Sequence, residues 1–301
     1  MTENRLPLTI LGGWLGAGKT TWLRHQLHTG LRAHVIVNEA AGVAVDDALL
    51  SQAQGVTVLA GGCACCEGLP HLLVALYALA DRRSAGDAIP AIILETSGLA
   101  DPAAILTALA VDPILVHHFR LTGTTVLVDA ANGAADLAAG AQAIRQIRAA
   151  TALVLSKTDT VSPAATARLA ATLAVLNPLA TLSAAVAGIA VPLPALVADT
   201  LPLGHATRAV TAITLPIPKG ADWASLSLWL SALLHAHGDR LIRLKGVVQT
   251  PAGRLLIQTV RRTVQPPEML PDGLGTDDLL AVIGENPDAA ALQASLARFL
   301  A

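Results

Sequence analysis

At 301 residues, 53% hydrophobic and 14% charged, the chain has the length for one or two domains, each with a full core. A formal net charge of −2 argues against bulk electrostatic binding to nucleic acid. The chain's only three cysteines fall within residues 63–66, which makes no disulfide framework, and Met1–Pro7 is short and polar; a reducing, cytoplasmic setting without a secretory signal is expected.

In chain order, residues 7–12 read as a first strand that runs into a glycine-rich turn, and a helical pattern begins at Thr21-Trp22-Leu23. Gly13, four residues, then Gly18-Lys19-Thr20 fill the phosphate-loop pattern. Glycines let backbone N–H groups close around a phosphate, and the helix that follows adds the positive end of its dipole. The candidate nucleotide ligands are therefore Gly13, Gly16, Ala17, Gly18, Lys19, Thr20 and Thr21. Lys19 has the reach for the β- and γ-phosphates, and the Thr20 hydroxyl is a ligand for Mg²⁺.

His34–Asn38 is the uninterrupted apolar run expected of a parallel strand buried on both faces. Glu39 and Asp46 follow it, as loop acids in a nucleotide-sensing segment or as solvated carboxylates. Val56–Ala60 reads as a third strand, and Leu69–Leu79 as a helix. Between them stands Gly61-Gly62-Cys63-Ala64-Cys65-Cys66. Thiolates at Cys63, Cys65 and Cys66 are soft ligands suited to Zn²⁺ and related ions, and three sulfurs leave one tetrahedral position open for exchange. A redox pair and plain packing are the alternatives.

Ile89–Leu94 is expected as a fourth strand, and it delivers Glu95 to its carboxyl end, where a carboxylate acts near Mg²⁺. Gly98, three residues on, offers a backbone able to approach a γ-phosphate. Thr124–Asp129 and Thr151–Leu155 are the next strands, the second followed by Ser156-Lys157-Thr158-Asp159. A carboxylate at Asp159 can accept from both N1–H and the 2-amino group of guanine, which adenine cannot reproduce. Residues 169–198 carry no charged side chain, but Asn177-Pro178, Pro192 and Pro194 interrupt them; a helix formed by Arg168 and the residues before it, then a strand over Ala180–Ala185, is expected rather than a membrane span.

From residue 209 the pattern changes to a strand (Ala209–Ile217), a helix (Asp222–Leu234), two strands (Arg240–Gln249, Arg254–Val264) around a Pro251-Ala252-Gly253 hairpin signal, and a last helix (Asp288–Leu300). The expected fold is α/β: a doubly wound, mostly parallel phosphate-loop NTPase sheet over 1–191, a proline-rich linker over 192–208 and a smaller α+β domain over 209–301.

Gly12–Thr21, the Cys-x-Cys-Cys at 63–66, Glu95–Pro102 and Ser156–Asp159 together resemble the CobW-type branch of the CobW/UreG/HypB phosphate-loop GTPases, and Gly238–Gly246 is similar to the start of that family's C-terminal domain. The resemblance implies a GTPase that uses Mg²⁺, binds Zn²⁺ or Co²⁺ at Cys63, Cys65 and Cys66, and delivers it to a client metalloprotein or cofactor-pathway protein; intrinsic turnover is expected to be slow, because no residue stands out as an arginine finger or water-orienting glutamine. By position, Lys19, Thr20 and Glu95 serve catalysis, Lys157 and Asp159 serve guanine, Glu39 stands near the metal, and Asn177-Pro178 resembles a segment near the base. Three departures stand out. Asn38-Glu39-Ala40-Ala41-Gly42 lacks the second glutamate of the family's Asn-Glu-Phe-Gly-Glu, Ser156 replaces an asparagine before Lys157, and His205 stands alone where many members have a histidine-rich linker. A regulatory, nucleotide-gated metal-binding module with negligible hydrolysis is the rival reading, and an ATP-using kinase-like enzyme a second. Neither a nucleic-acid nor a membrane partner is expected, and the oligomeric state, a homodimer included, is left open.

Overall fold

The computed structural model describes residues 5–38, 53–59, 68–202, 210–238, 240–251, 253–260, 263–264, 267–270, 278–285 and 287–300. The chain forms two units, residues 4–205 and 206–301. In the first, eight strands are laid out as β1 (Leu6–Gly13), β2 (His34–Asn38), β3 (Gly55–Leu59), β4 (Ile92–Glu95), β5 (Phe119–Asp129), β6 (Ala152–Ser156), β7 (Thr181–Val186) and β8 (Ile189–Val191). Their spatial order is β3-β2-β4-β1-β5-β6-β7-β8, parallel throughout except for the β7–β8 pair. The helices between them are α1 (Lys19–His28), α2 (Leu69–Ser84), α3 (Pro102–Val111), α4 (Pro113–His118), α5 (Gly133–Ala139), α6 (Ala141–Ala149) and α7 (Pro163–Leu176). This is the doubly wound, mostly parallel sheet that the alternation of apolar runs and helical patterns implies.

β1 lies at the middle of the sheet, between β4 and β5, which accounts for its apolar character on both faces: Leu6, Leu8, Ile10 and Leu11 are all buried. From β1 the chain builds outward to β2 and β3 on one side, then crosses to β5 and β6 on the other. That reversal opens a crevice at the carboxyl ends of the strands, where parallel sheets bind ligands.

Besides shifts of a residue at strand ends, two strand starts and one added strand in this unit differ from expectation. β4 begins at Ile92 rather than Ile89, because Pro90 has no N–H for a ladder and the Ile89 N–H turns back to the Asp87 carbonyl at 2.9 Å. β5 begins five residues before Thr124: Phe119, Arg120 and Leu121 pair with Leu6, Pro7 and Leu8, and a register shift follows between Leu8 and Thr9. Arg120, Thr122 and Gly123 hide this stretch from an apolar-run criterion, and the pairing is helped by Thr122 Oγ1 donating to the Leu8 carbonyl at 3.0 Å. β8 is a short return strand made by a two-residue turn, Ala187 and Gly188, both at positive φ (50° and 90°).

The uncharged stretch 169–198 is thus divided among the end of α7, β7 and β8; among the described residues no helix is long and apolar enough to cross a membrane. After β8, residues 192–202 run against α7. Leu193 and Leu201 pack on the core formed by α6, α7 and β6, and the Leu201 N–H donates to Thr172 Oγ1 at 2.9 Å.

The second unit is an antiparallel sheet with β9 (Val210–Pro216), β10 (Leu241–Thr250), β11 (Gly253–Val260), β12 (Thr263–Val264), β13 (Glu268–Leu270) and β14 (Leu279–Glu285), ordered β12-β11-β10-β14-β9 with β13 on β11. The β10–β11 hairpin closes at Thr250 and Gly253, as the turn residues predict. β14, which carries no sequence expectation above, is the strand between β10 and β9. Helices α8 (Trp223–His237) and α9 (Ala289–Leu300) cover one core built on Trp229, Leu230, Leu244, Ile257, Val282 and Leu296, and Trp229 Nε1 donates across it to Ser295 Oγ at 3.2 Å.

Candidate functional site

The glycine-rich turn between β1 and α1 has the backbone of a phosphate cradle. Gly13 lies at φ 137°, and a Cβ there would fall 2.5 Å from the Leu127 carbonyl oxygen, so no side chain fits between this turn and β5. Gly16 and Gly18 continue the turn at φ 76° and 83°, and Gly18 is the residue from which α1 starts. Ala17 is fully buried beneath it. The Lys19 ammonium donates to the carbonyls of Gly13 (2.9 Å) and Trp14 (3.2 Å), which places its charge over the turn that it follows in sequence.

Glu95 ends β4, paired directly beside Leu11 of β1, and is only 5% exposed. The Thr20 hydroxyl donates to its Oε1 at 2.6 Å. A hydroxyl and a carboxylate at this separation are hard oxygen donors of the kind Mg²⁺ takes, one at the start of α1 and one at the end of β4. The crevice holds a cleft of about 480 Å³. Gly16, Gly18, Lys19, Thr20, Thr21, Glu95, Gly98 and Lys157 all line it, residues drawn from three separated segments of the sequence. Leu15, Asn38, Thr96 and Ser97 complete much of the wall.

Lys157 sits at the start of the turn after β6, at φ 55°, a left-handed conformation unusual for a side-chain-bearing residue. Its ammonium is fixed by Asp129 Oδ2 at 2.7 Å. Asp129 is buried at the carboxyl end of β5. Burial pushes its carboxyl up, but hydrogen bonds from Lys157, from the Asn132 amide and from the Ala131 N–H outweigh this and hold it below the usual carboxylate range, so the ion pair is intact at neutral pH. The rule that identifies Glu95, an acid at the end of an apolar strand, applies equally to Asp129, and Asp129 is the residue missing from the candidate set above.

Asp159 lies on the short 3₁₀ turn Thr158–Thr160 and is exposed, outside the lining of the described cleft. Ser156 donates from Oγ to the Ala17 carbonyl at 2.8 Å and so ties the end of β6 to the phosphate loop. Asn177 is different. It is 2% exposed, and its amide donates to the carbonyls of Ile147 (2.7 Å) and Ala150 (2.9 Å), so it braces the end of α7 against the end of α6. Glu39, Asp46, Cys63, Cys65 and Cys66 lie outside the described residues.

Residues 7–184 match the CobW/HypB/UreG nucleotide-binding domain, and residues 210–300 match the cobalamin synthesis protein CobW C-terminal domain. The chain is 31% identical over 280 residues to the zinc chaperone YjiA of Escherichia coli, spanning 86% of this chain and 87% of that protein. It is 29% identical over 194 residues to the zinc-regulated GTPase metalloprotein activator 1 of Schizosaccharomyces pombe, covering 60% of this chain and 45% of that one. A crystal structure of Zn(II)-bound YjiA GTPase from E. coli superposes with a TM-score of 0.66 at 25% identity, over 98% of this chain and 99% of the other.

Proposed function

The chain belongs to the CobW/HypB/UreG family of phosphate-loop GTPases, and on that footing we propose that it is a GTP-hydrolysing metallochaperone, which binds Zn²⁺ or Co²⁺ through its Cys-x-Cys-Cys motif and passes it to a client protein in a GTP-dependent way. The observation that carries the nucleotide half is the Thr20–Glu95 hydrogen bond at the floor of the cleft, directly beside Lys19. A nucleotide triphosphate laid in the cleft has its phosphates over the Gly13–Gly18 turn and the start of α1. Mg²⁺ held by Thr20, with Glu95 beside it, supplies charge neutralisation when bound. Lys19 neutralises the β- and γ-phosphates, and Gly98 brings its backbone to the γ-phosphate side.

The base is proposed to lie toward Lys157 and Asp159, with Asp129 holding Lys157 in place and Asp159 supplying the paired contact to guanine. Ser156 takes the role of bracing the loop through Ala17. The metal half rests on Cys63, Cys65 and Cys66 in the sequence and on the zinc chaperones among the relatives. In the sequence the motif falls between β3 and α2, and a nucleotide-dependent change of loop positions is the proposed route from nucleotide state to metal grip.

Hydrolysis measured with GTP and ATP in parallel tests the assignment. GTP turnover that excess ATP fails to suppress is expected; equal use of the two nucleotides removes Asp159 as a base-reading residue and with it the GTPase reading.

A further inference from the structure

Three side chains on one face of α6, Gln142, Arg145 and Gln146, hold four consecutive residues of the loop that follows Glu95. Gln146 is 2% exposed, and its amide nitrogen donates to two carbonyls, Gly98 at 2.9 Å and Ala100 at 2.8 Å. The Gln142 amide donates to the carbonyl between them, that of Leu99, at 2.8 Å. Arg145 Nε lies 3.2 Å from Asp101 Oδ2, and Arg145 also bonds the Gln142 amide oxygen. Asp101 in turn caps α3 by accepting the Ala103 N–H at 3.0 Å. The spacing 142, 145, 146 puts all three on one helical face, and no apolar packing rule asks for two glutamines there.

The clamped loop is also the wall of the cleft. Ser97 and Gly98 line it, and Gly98 approaches the phosphate loop so closely that a Cβ would lie 2.6 Å from the Leu15 nitrogen. The opposite face of α6 is anchored: Ala143 and Ile147 belong to the buried core with β5, β6 and α7. A side chain that satisfies two buried carbonyls from a core-anchored helix fixes the peptide planes of the loop, because leaving either carbonyl unpaired costs its desolvation.

We propose that Gln146 is a positioning residue for hydrolysis, assisted by Gln142: from α6 it sets the Gly98–Ala100 backbone at the distance from the phosphate loop at which a γ-phosphate is recognised. The inference rests on the GTPase reading above. It makes Gln146 act on the γ-phosphate side, since its hydrogen bonds are to the carbonyls of residues 98 and 100.

The test compares wild type, Gln146→Leu and Gln142→Ala for single-turnover GTP hydrolysis, for affinity toward GDP and GTPγS, and for melting temperature. Gln146→Leu is expected to lower the hydrolysis rate by roughly tenfold and to weaken GTPγS while leaving GDP affinity within about twofold. Gln142→Ala, at a partly exposed site with a single bond to the loop to lose, is expected to lower the rate by roughly twofold to threefold in the same direction. A lowered melting temperature with unchanged rate and unchanged GTPγS affinity overturns the proposal and leaves Gln146 a structural brace. If Gln146→Leu does not fold, an unchanged rate in Gln142→Ala overturns it. A wild type that hydrolyses no GTP overturns the GTPase reading itself, and this inference with it.

Discussion

Lys19→Ala is expected to reduce the single-turnover rate of GTP hydrolysis by roughly 10²- to 10³-fold, the range for removing one preorganised charge or donor from a developing anion. The side chain spans its own loop, donating to Gly13 and Trp14, so its ammonium stands where α1 begins and where the phosphates of a nucleotide would lie. Truncation removes that charge while the turn keeps its backbone geometry, which Gly13, packed against Leu127, dictates independently. The melting temperature should therefore move little, and the loss should fall on the chemical step and on triphosphate affinity together. Stopped-time hydrolysis under enzyme excess, with a thermal melt of the same sample, reads both. A rate within threefold of wild type would remove Lys19 from the site.

Gly98→Ala is expected to have the second largest effect, a fall in hydrolysis of about 10²-fold with GDP binding retained. A methyl group at this position meets the Leu15 nitrogen at 2.6 Å and the Leu15 side chain at 2.8 Å. The first contact is with backbone, so it cannot be relieved by a rotamer change; either the 96–101 loop or the phosphate loop has to move. The clamp from Gln142 and Gln146 resists movement of the first, and the tie from Ser156 to Ala17 resists movement of the second. The strain is therefore concentrated between the two walls of the cleft, on the γ-phosphate side. Equilibrium binding of GDP and GTPγS together with turnover distinguishes this outcome from general unfolding, in which both nucleotides are lost. Unchanged turnover in Gly98→Ala would show that the close approach has no part in hydrolysis.

Much of this site is legible in the sequence because its chemistry is local. The Gly13–Thr20 spacing is contiguous and follows from backbone requirements of a single turn, and Glu95 is found by one rule, an acid ending an apolar strand in a parallel sheet. Asp129 obeys the same rule but is overlooked because its partner, Lys157, is 28 residues away and its work is to hold that lysine rather than a ligand. Gln142 and Gln146 leave no trace in the sequence pattern. They are neutral, they lie on a short helix whose apolar period is met by Ala143 and Ile147, and their partners are carbonyls more than forty residues earlier. α3 is obscured for another reason: Pro102–Val111 is almost wholly apolar, so no polar face marks a helical period. In the second unit β14 is found only by tertiary pairing, since its place between β10 and β9 depends on two strands that lie well before it in the chain.

Asn177 is instructive in the opposite sense. The resemblance puts the Asn177-Pro178 segment near a base, and within that segment the Asn177 amide is spent on the carbonyls at the end of α6. The same amide geometry that reads a base edge also caps a helix, and only the fold decides between the two uses.

The central claim is that nucleotide state and metal grip are linked in one chain. It is tested most directly by titrating Co²⁺, followed by its thiolate absorption, and then Zn²⁺ by competition, into reduced protein loaded with GDP or with GTPγS. The account predicts thiolate absorption that depends on Cys63, Cys65 and Cys66, and a metal affinity that differs between the two nucleotides by roughly fivefold or more, with metal changing the GTPγS:GDP affinity ratio by the same factor. Equal metal affinities in the two nucleotide states, or Co²⁺ binding without thiolate absorption, would contradict it.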